Sequence, residues 1–318
     1  MAVRMIDKKI PVILDGDPGH DDAIAWVLAA VEEKLDILAV TSVSGNQTIE
    51  KTTLNASKIL TLIERPLPLA RGAARPLFAE PMVAPSVHGK TGLDGPALPE
   101  PKVPVLEKGA VTLMAETLEA HPEAVTIIAT GPLTNVALLL LTYPELKEKI
   151  AAIYFMGGGI RHGNWTPAAE FNILVDPEAA KIVLESGLTL VMCGLDVTER
   201  ALIMPSEFDE IEALGSEVAK IVAGWLRFFY EFHAAKGYTG APLHDAVAVA
   251  ALTAPELLDF KALSVEVELT GDYCRGATVA DWYGLFGKAP NVKVAMGIDR
   301  DKFFSWIKSH LEKYGRSA

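Results

Sequence analysis

The chain reads as an α/β protein, a doubly wound and mostly parallel sheet flanked by helices, with a helical and β-rich elaboration at its C-terminus. Three observations predict this. At 318 residues, 50% hydrophobic and 22% charged, the chain is long and apolar enough for a full core. Short apolar runs alternate with helix-like stretches through the first two-thirds, the pattern of repeated strand–helix units on a parallel sheet. Polar and turn residues also recur at the ends of those apolar runs, the edge at which such sheets bind ligands.

The elements follow in order. "IPVILD" is the first strand, and "DDAIAWVLAAVEEK" after it places Ile24, Val27, Leu28 and Val31 on one helix face. "LDILAVTSVSG" is a second strand, leading into the helix "NQTIEKTTLNASKILTLIE", for which Asn46 is the expected N-cap. "AVTIIATG" pairs with "PLTNVALLLLTYPELKEK". "AAIYFMGG" is followed, after a long loop, by "DPEAAKIVLESG", which opens with an Asp cap and Pro177 in the first turn. "LTLVMCGLD" closes the series. Beyond about residue 205 helices come first, then the β-rich stretch "LSVEVELTGDYCRGATVADWYG" to "NVKVAMGID", then a last helix. No Ser/Gly-rich linker or repeat interrupts the chain, so a single domain over residues 1–318 is expected.

Charge and composition exclude several functions. A net charge of −12 repels polyanions, and no Lys/Arg cluster offers a phosphate-binding surface, so nucleic acid is not an expected partner. No apolar run reaches the length of a membrane span, and the first residues carry no signal-peptide pattern. The two cysteines, Cys193 and Cys274, form neither a C-x-x-C pair nor a disulfide framework. A cytoplasmic location is expected.

The densest signal is "VILDGDPGHDDAIAW", with Asp15, Asp17, Asp21 and Asp22 inside eight positions. One aspartate can cap a helix, but four crowded carboxylates repel and raise one another's pKa unless a cation sits among them. Carboxylates without cysteine suit calcium or magnesium better than zinc. Pro18-Gly19 turns the chain, so Asp17 on the strand end and Asp22 in the first helical turn can face one point, with the helix N-terminus favouring their charge. Asp21, beside them, is then a candidate general base. "PLHDA" supplies a distant second candidate, His244-Asp245, whose bland reading is a capped helix start.

"LDGDPGHDDAIA" resembles the D-x-D-P-G-x-D-D signature of the inosine–uridine preferring nucleoside hydrolases. "VSGNQT", "HGKTGLDGP", "ATGPLTN", "MGG", "GNWTPAAEFNILVDPEAA" and "PLHDA" stand in family order with family-like spacing, so the resemblance spans essentially the whole chain. It implies calcium-dependent hydrolysis of the N-ribosidic bond of free ribonucleosides, through an oxocarbenium-like transition state. By the resemblance, Asp17, Asp22, Asp245 and the main-chain carbonyl of Thr130 hold the calcium, and Asp21 takes the proton of the attacking water. Asn46, Glu170, Asn172 and the backbone at Met156 bind the ribose, while Asp15 orients the loop from behind the ligands. His244 protonates or hydrogen-bonds the leaving base, and His88, in a mobile-looking loop, closes over the 5′-hydroxyl side. A homodimer or homotetramer is implied.

Competing readings differ in kind. An aspartyl-nucleophile phosphatase also begins with D-x-D after a strand, and "LTGDYCRGATVAD" superficially resembles its second acidic motif, but Pro18-Gly19 stands where a small hydroxyl residue is wanted. A non-enzymatic nucleoside- or sugar-binding protein could use the same carboxylates. Without the resemblance, Glu170 and Asn172 read as loop residues satisfying backbone groups, Met156 and Phe171 as core, and His88 equally as a solvated residue. Trp165 and the stripe Trp225, Phe228, Phe229, Phe232 read as packing. Preference for purine or pyrimidine, or restriction to pyrimidines, stays open.

Overall fold

The structure, a computed structural model, describes residues 8–315; the opening residues on which the signal-peptide reading partly rests lie outside them. β1 (Ile10–Gly16) leads into α1 (His20–Val31), and β2 (Leu35–Ser42) into α2 (Ile49–Leu62). β3 (Leu69–Arg71), the one-turn α3 (Pro85–His88) and β4 (Val105–Leu106) follow, then α4 (Ala110–Ala120), β5 (Val125–Ala129), α5 (Thr134–Thr142) and β6 (Ile150–Met156). After a long loop come α6 (Phe171–Val175), α7 (Pro177–Leu184), β7 (Leu190–Cys193) and α8 (Leu195–Thr198). A two-stranded ribbon, β8 (Leu202–Ile203) with β9 (Ala241–Pro242), brackets α9 (Pro205–Glu212) and α10 (Glu217–Ala235). The chain ends with α11 (Ala246–Thr253), β10 (Leu258–Val267), β11 (Thr278–Asp281), β12 (Val292–Ile298) and α12 (Arg300–Leu311).

Ten strands form one sheet in the order β11-β10-β12-β7-β6-β5-β1-β2-β3-β4. From β4 to β12 the pairings are parallel, and β10 is antiparallel to both its neighbours. The C-terminal β stretch therefore widens the main sheet. Two large apolar clusters cover its faces. One contains Trp26, Trp225 and Phe303, the other Ile13, Ile127 and Phe155.

Two local expectations are corrected. α1 is buried all round from His20 to Ala30 rather than along one stripe, because α2, α10, α11 and α12 all pack against it. The residue before α2 is Thr48, not Asn46, since Asn46 is drawn to the aspartates described below. The Asp176 cap stands as expected, accepting the Ala179 N–H at 3.1 Å with Pro177 at the first helical position.

Candidate active site

β1 lies between β2 and β5, the point at which the strand order reverses and where a doubly wound sheet opens a crevice. Pro18-Gly19 leads directly from β1 into α1, and Asp22 holds that turn together. Its Oδ1 accepts the Asp17 N–H at 3.2 Å and its Oδ2 accepts the Gly19 N–H at 3.1 Å. The neighbouring strands reach the same carboxylate, through the Thr130 hydroxyl at 2.6 Å and the Asn46 amide at 3.1 Å. Asp17 accepts the Asn46 N–H at 2.6 Å. These charge-assisted bonds pull Asn46 off the helix end. Asp15 is clamped from behind by Thr41 at 2.6 Å and Asn135 at 2.7 Å.

Asp245 arrives from the β9–α11 connection. It joins Asp21 and Asp22 in a buried trio in which one carboxylate oxygen from each lies within 4.8 Å of the other two. Asp17 is felt by this trio through its charge and is not a member of it. Burial dominates the chemistry. It pushes Asp21 up to about 8 and Asp15 up to about 7, and raises Asp22 as well. Asp17 is held well above the carboxylate range by burial and by Asp22, and Asp245 by burial and by Asp21.

Three oxygens, Asp15 Oδ2, Asp17 Oδ1 and Asp21 Oδ1, are buried without a hydrogen-bond partner. Gly45 and Gly131 make room for Asp17, since a Cβ on Gly131 would stand 2.5 Å from its Oδ1 and one on Gly45 would meet its Oδ2. Buried, orphaned, mutually repelling oxygen donors are what a metal ion satisfies, and the cluster can hold one.

The cavity beside the trio is lined by Asn46, Met156, Glu170 and Asn172, among others. Glu170 caps α6, its carboxylate accepting the N–H groups of Asn172, Ile173 and Gly158 at 2.8–3.1 Å. The Asn172 amide donates to the carbonyls of Thr130 at 2.8 Å and Met156 at 3.1 Å, tying the ends of β5 and β6 together. Both residues thus satisfy backbone groups and face the cavity.

His88 is neither solvated nor on an open loop. It ends α3, is buried, and its Nδ1 takes the His20 N–H at 3.2 Å and lies 3.1 Å from His20 Nδ1. His244 is also buried, its Nδ1 2.8 Å from the Thr198 hydroxyl, and burial pulls its pKa down to about 3. The ring is neutral.

On the remaining wall, sequence reasoning placed the stretch "RFFYEFHAAKGYTG" toward the base by resemblance but left its residues without roles. Phe229, Phe232, His233 and Tyr238 border the cavity from α10 and the turn after it, and Trp165 lies tilted against Phe171 with centroids 4.7 Å apart. The packing assigned to the aromatic stripe holds for Trp225, which is fully buried. The helical spacing is the same along the whole of α10, so nothing in it shows where the helix leaves the core. The supposed phosphatase motif lies in the loop after β10 and on β11, which five strands separate from β1, and Asp281 there folds its own turn by accepting the Tyr283 and Phe286 N–H groups.

Residues 12–305 match the family described as inosine-uridine preferring nucleoside hydrolase. The chain belongs to this family. It is accordingly an enzyme that hydrolyses the N-glycosidic bond of ribonucleosides, as its family and its relatives are named. The chain is 50% identical over 309 residues to the pyrimidine-specific ribonucleoside hydrolase RihA of Salmonella arizonae, covering 96% of this chain and 99% of the relative. It is 51% identical over 308 residues to RihA of Escherichia coli O9:H4 strain HS, with the same coverage. Among solved structures, the purine-preferring ribonucleoside hydrolase from Gardnerella vaginalis superimposes with a TM-score of 0.90 at 28% identity, covering 97% of this chain and all of the other. An inosine-guanosine nucleoside hydrolase gives 0.87 at 29%, covering 95% and 98%.

Proposed function

We propose that this nucleoside hydrolase acts on pyrimidine ribonucleosides, uridine and cytidine, and that its metal is calcium. One observation carries the substrate preference: identity is 50% across nearly the whole chain with relatives named pyrimidine-specific, against 28% with the structure named purine-preferring. The oxygen-only donor set supports calcium. Asp17, Asp22, Asp245 and the Thr130 carbonyl would hold it. Bound there, the ion would keep the carboxylates ionised and supply the fixed positive charge to which the ribose 2′- and 3′-hydroxyls and a water are drawn.

The chain's own groups do the rest. Asp21, with Oδ1 free of any hydrogen bond, accepts the proton of the water that attacks C1′. Asn46, Glu170, Asn172 and the Met156 backbone orient the sugar, and His88 stands on the 5′ side. Asp15, fixed by Thr41 and Asn135, holds the β1 end in place. His244 donates to the departing base as a neutral imidazole, because burial and the adjacent cation site both disfavour its charged form. Two free cysteines support a cytoplasmic location, and the family resemblance a homodimer or homotetramer.

Turnover of uridine, cytidine, inosine and adenosine tests the substrate reading, with the two pyrimidines expected at least about tenfold ahead in kcat/KM, the span typical of binding-pocket discrimination. A preference for inosine overturns it. Elemental analysis of the purified protein should find calcium, and zinc, or full activity after chelation, overturns that assignment.

A further inference from the structure

His233 sits in the last turn of α10, buried, with its ring at the wall of the cavity that Asp21 and Asp245 also line. Its Nδ1 is 2.9 Å from the backbone carbonyl oxygen of Phe229, one helical turn earlier. A carbonyl only accepts, so the proton of this hydrogen bond belongs to Nδ1. In a neutral imidazole the other nitrogen is then a bare acceptor. The ring is neutral because burial, reinforced by the nearby Lys236 ammonium, pulls its pKa down to about 4.

Nothing in the described residues occupies that acceptor. The rings around His233 meet it through carbon: Phe232 and Tyr238 stand edge-on at 5.3 Å, and His244 lies 6.1 Å away between centroids. Tyr238 donates its hydroxyl to Glu199 at 2.6 Å, and His244 Nδ1 is paired with Thr198. An acceptor held in a fixed tautomer at the wall of a substrate cavity selects for a donor.

We infer that His233 is a specificity-determining residue whose Nε2 accepts a hydrogen bond from the pyrimidine edge, from N3–H of uracil or the 4-amino group of cytosine. A base without that donor leaves the acceptor desolvated and unpaired, and such mismatches are the ones enzymes reject most strongly. The inference rests on the reading that the cavity takes pyrimidine nucleosides.

The test uses the full-length, metal-loaded protein and compares uridine with 3-methyluridine, in which a methyl group replaces the N3 hydrogen and leaves the pyrimidine edge without a donor. Wild type, His233→Phe and His233→Gln are assayed on both substrates. The intrinsic difference between the two leaving groups cancels when the uridine to 3-methyluridine ratio of kcat/KM is compared between proteins. His233→Phe should lower that ratio about tenfold or more, while His233→Gln, whose amide oxygen accepts, should keep most of it. An unchanged ratio in His233→Phe overturns the inference.

A second readout needs no variant. Imidazole nitrogen-15 spectra of the wild type should show His233 as the Nδ1–H tautomer, and the Nε2–H tautomer would overturn the proposal even if His233→Phe fails to fold. If the wild type instead prefers inosine to uridine, the pyrimidine reading falls, and the tautomer measurement still decides what His233 presents.

Discussion

Asp21 keeps one carboxylate oxygen unpaired at the wall of the cavity. Asp22 spends both its oxygens on the turn, on Thr130 and on Asn46, whereas Asp21 Oδ1 has no partner. Asp21→Asn keeps the volume and removes the basicity, so it should retain the fold and the bound metal but lose about 10²- to 10⁴-fold in kcat, the usual loss with a general base. Near-normal turnover would remove Asp21 from that role. His244 calls for a different comparison. His244→Ala should slow uridine strongly but spare p-nitrophenyl riboside, whose anion leaves without a proton; equal losses would make His244 a positioning group for Asp245. Gly131→Ala would drive a methyl to within 2.5 Å of Asp17 Oδ1. Metal affinity, read by calorimetry, should fall at least about tenfold, with the circular dichroism spectrum unchanged.

Among the elements, α1 and α10 were the most and least legible. α1 announces itself by Pro18-Gly19 and by two acidic residues in its first turn, which the helix dipole favours. Of the stripe read on one face, Ile24, Val27 and Leu28 are buried and Val31 is half-buried, but Ala23, Ala25 and Ala29, off that stripe, are buried too, because small side chains let neighbouring helices approach. α10 carries a regular aromatic stripe that splits between two jobs. Trp225, with no exposed surface, packs the core, and four residues later Phe229 faces the cavity. Trp225→Ala should therefore cost about 3–5 kcal/mol in denaturant unfolding. A loss under 1 kcal/mol would mean that the helix is held mainly from the cavity side.

On the scale of the whole molecule, the buried carboxylates couple metal, pH and stability. Asp15 and Asp21 have folded-state pKa values of about 7 and about 8, above the ordinary aspartate value, so the metal-free native state holds protons that the unfolded chain has released. Stability of the chelated protein should therefore fall as pH rises from 6.5 to 8 and level off above it, by up to about 1.4 kcal/mol per pH unit for each proton held. With metal bound the same carboxylates are already ionised, and the slope should vanish. Thermal melts at pH 6.5, 7.2 and 8, with and without chelator, check this; a chelated protein whose melting temperature rises over that range would contradict it.

The aspartates of β1 and α1, and the strand–helix alternation that sets them at a sheet edge, were fixed by the sequence alone, because residues seven apart across a Pro-Gly turn are neighbours in any fold. So was His244-Asp245 as a second candidate, though only as a helix start. Tertiary structure decided what those residues meet. It brought Asp245 to within 4.8 Å of Asp21 and Asp22, took Asn46 from a helix cap to two carboxylates, buried His88, and turned the end of α10 toward the cavity. Such encounters join parts of the chain separated by up to two hundred residues or more, and they depend on which strands lie side by side, an order that local periodicity and spacing do not encode.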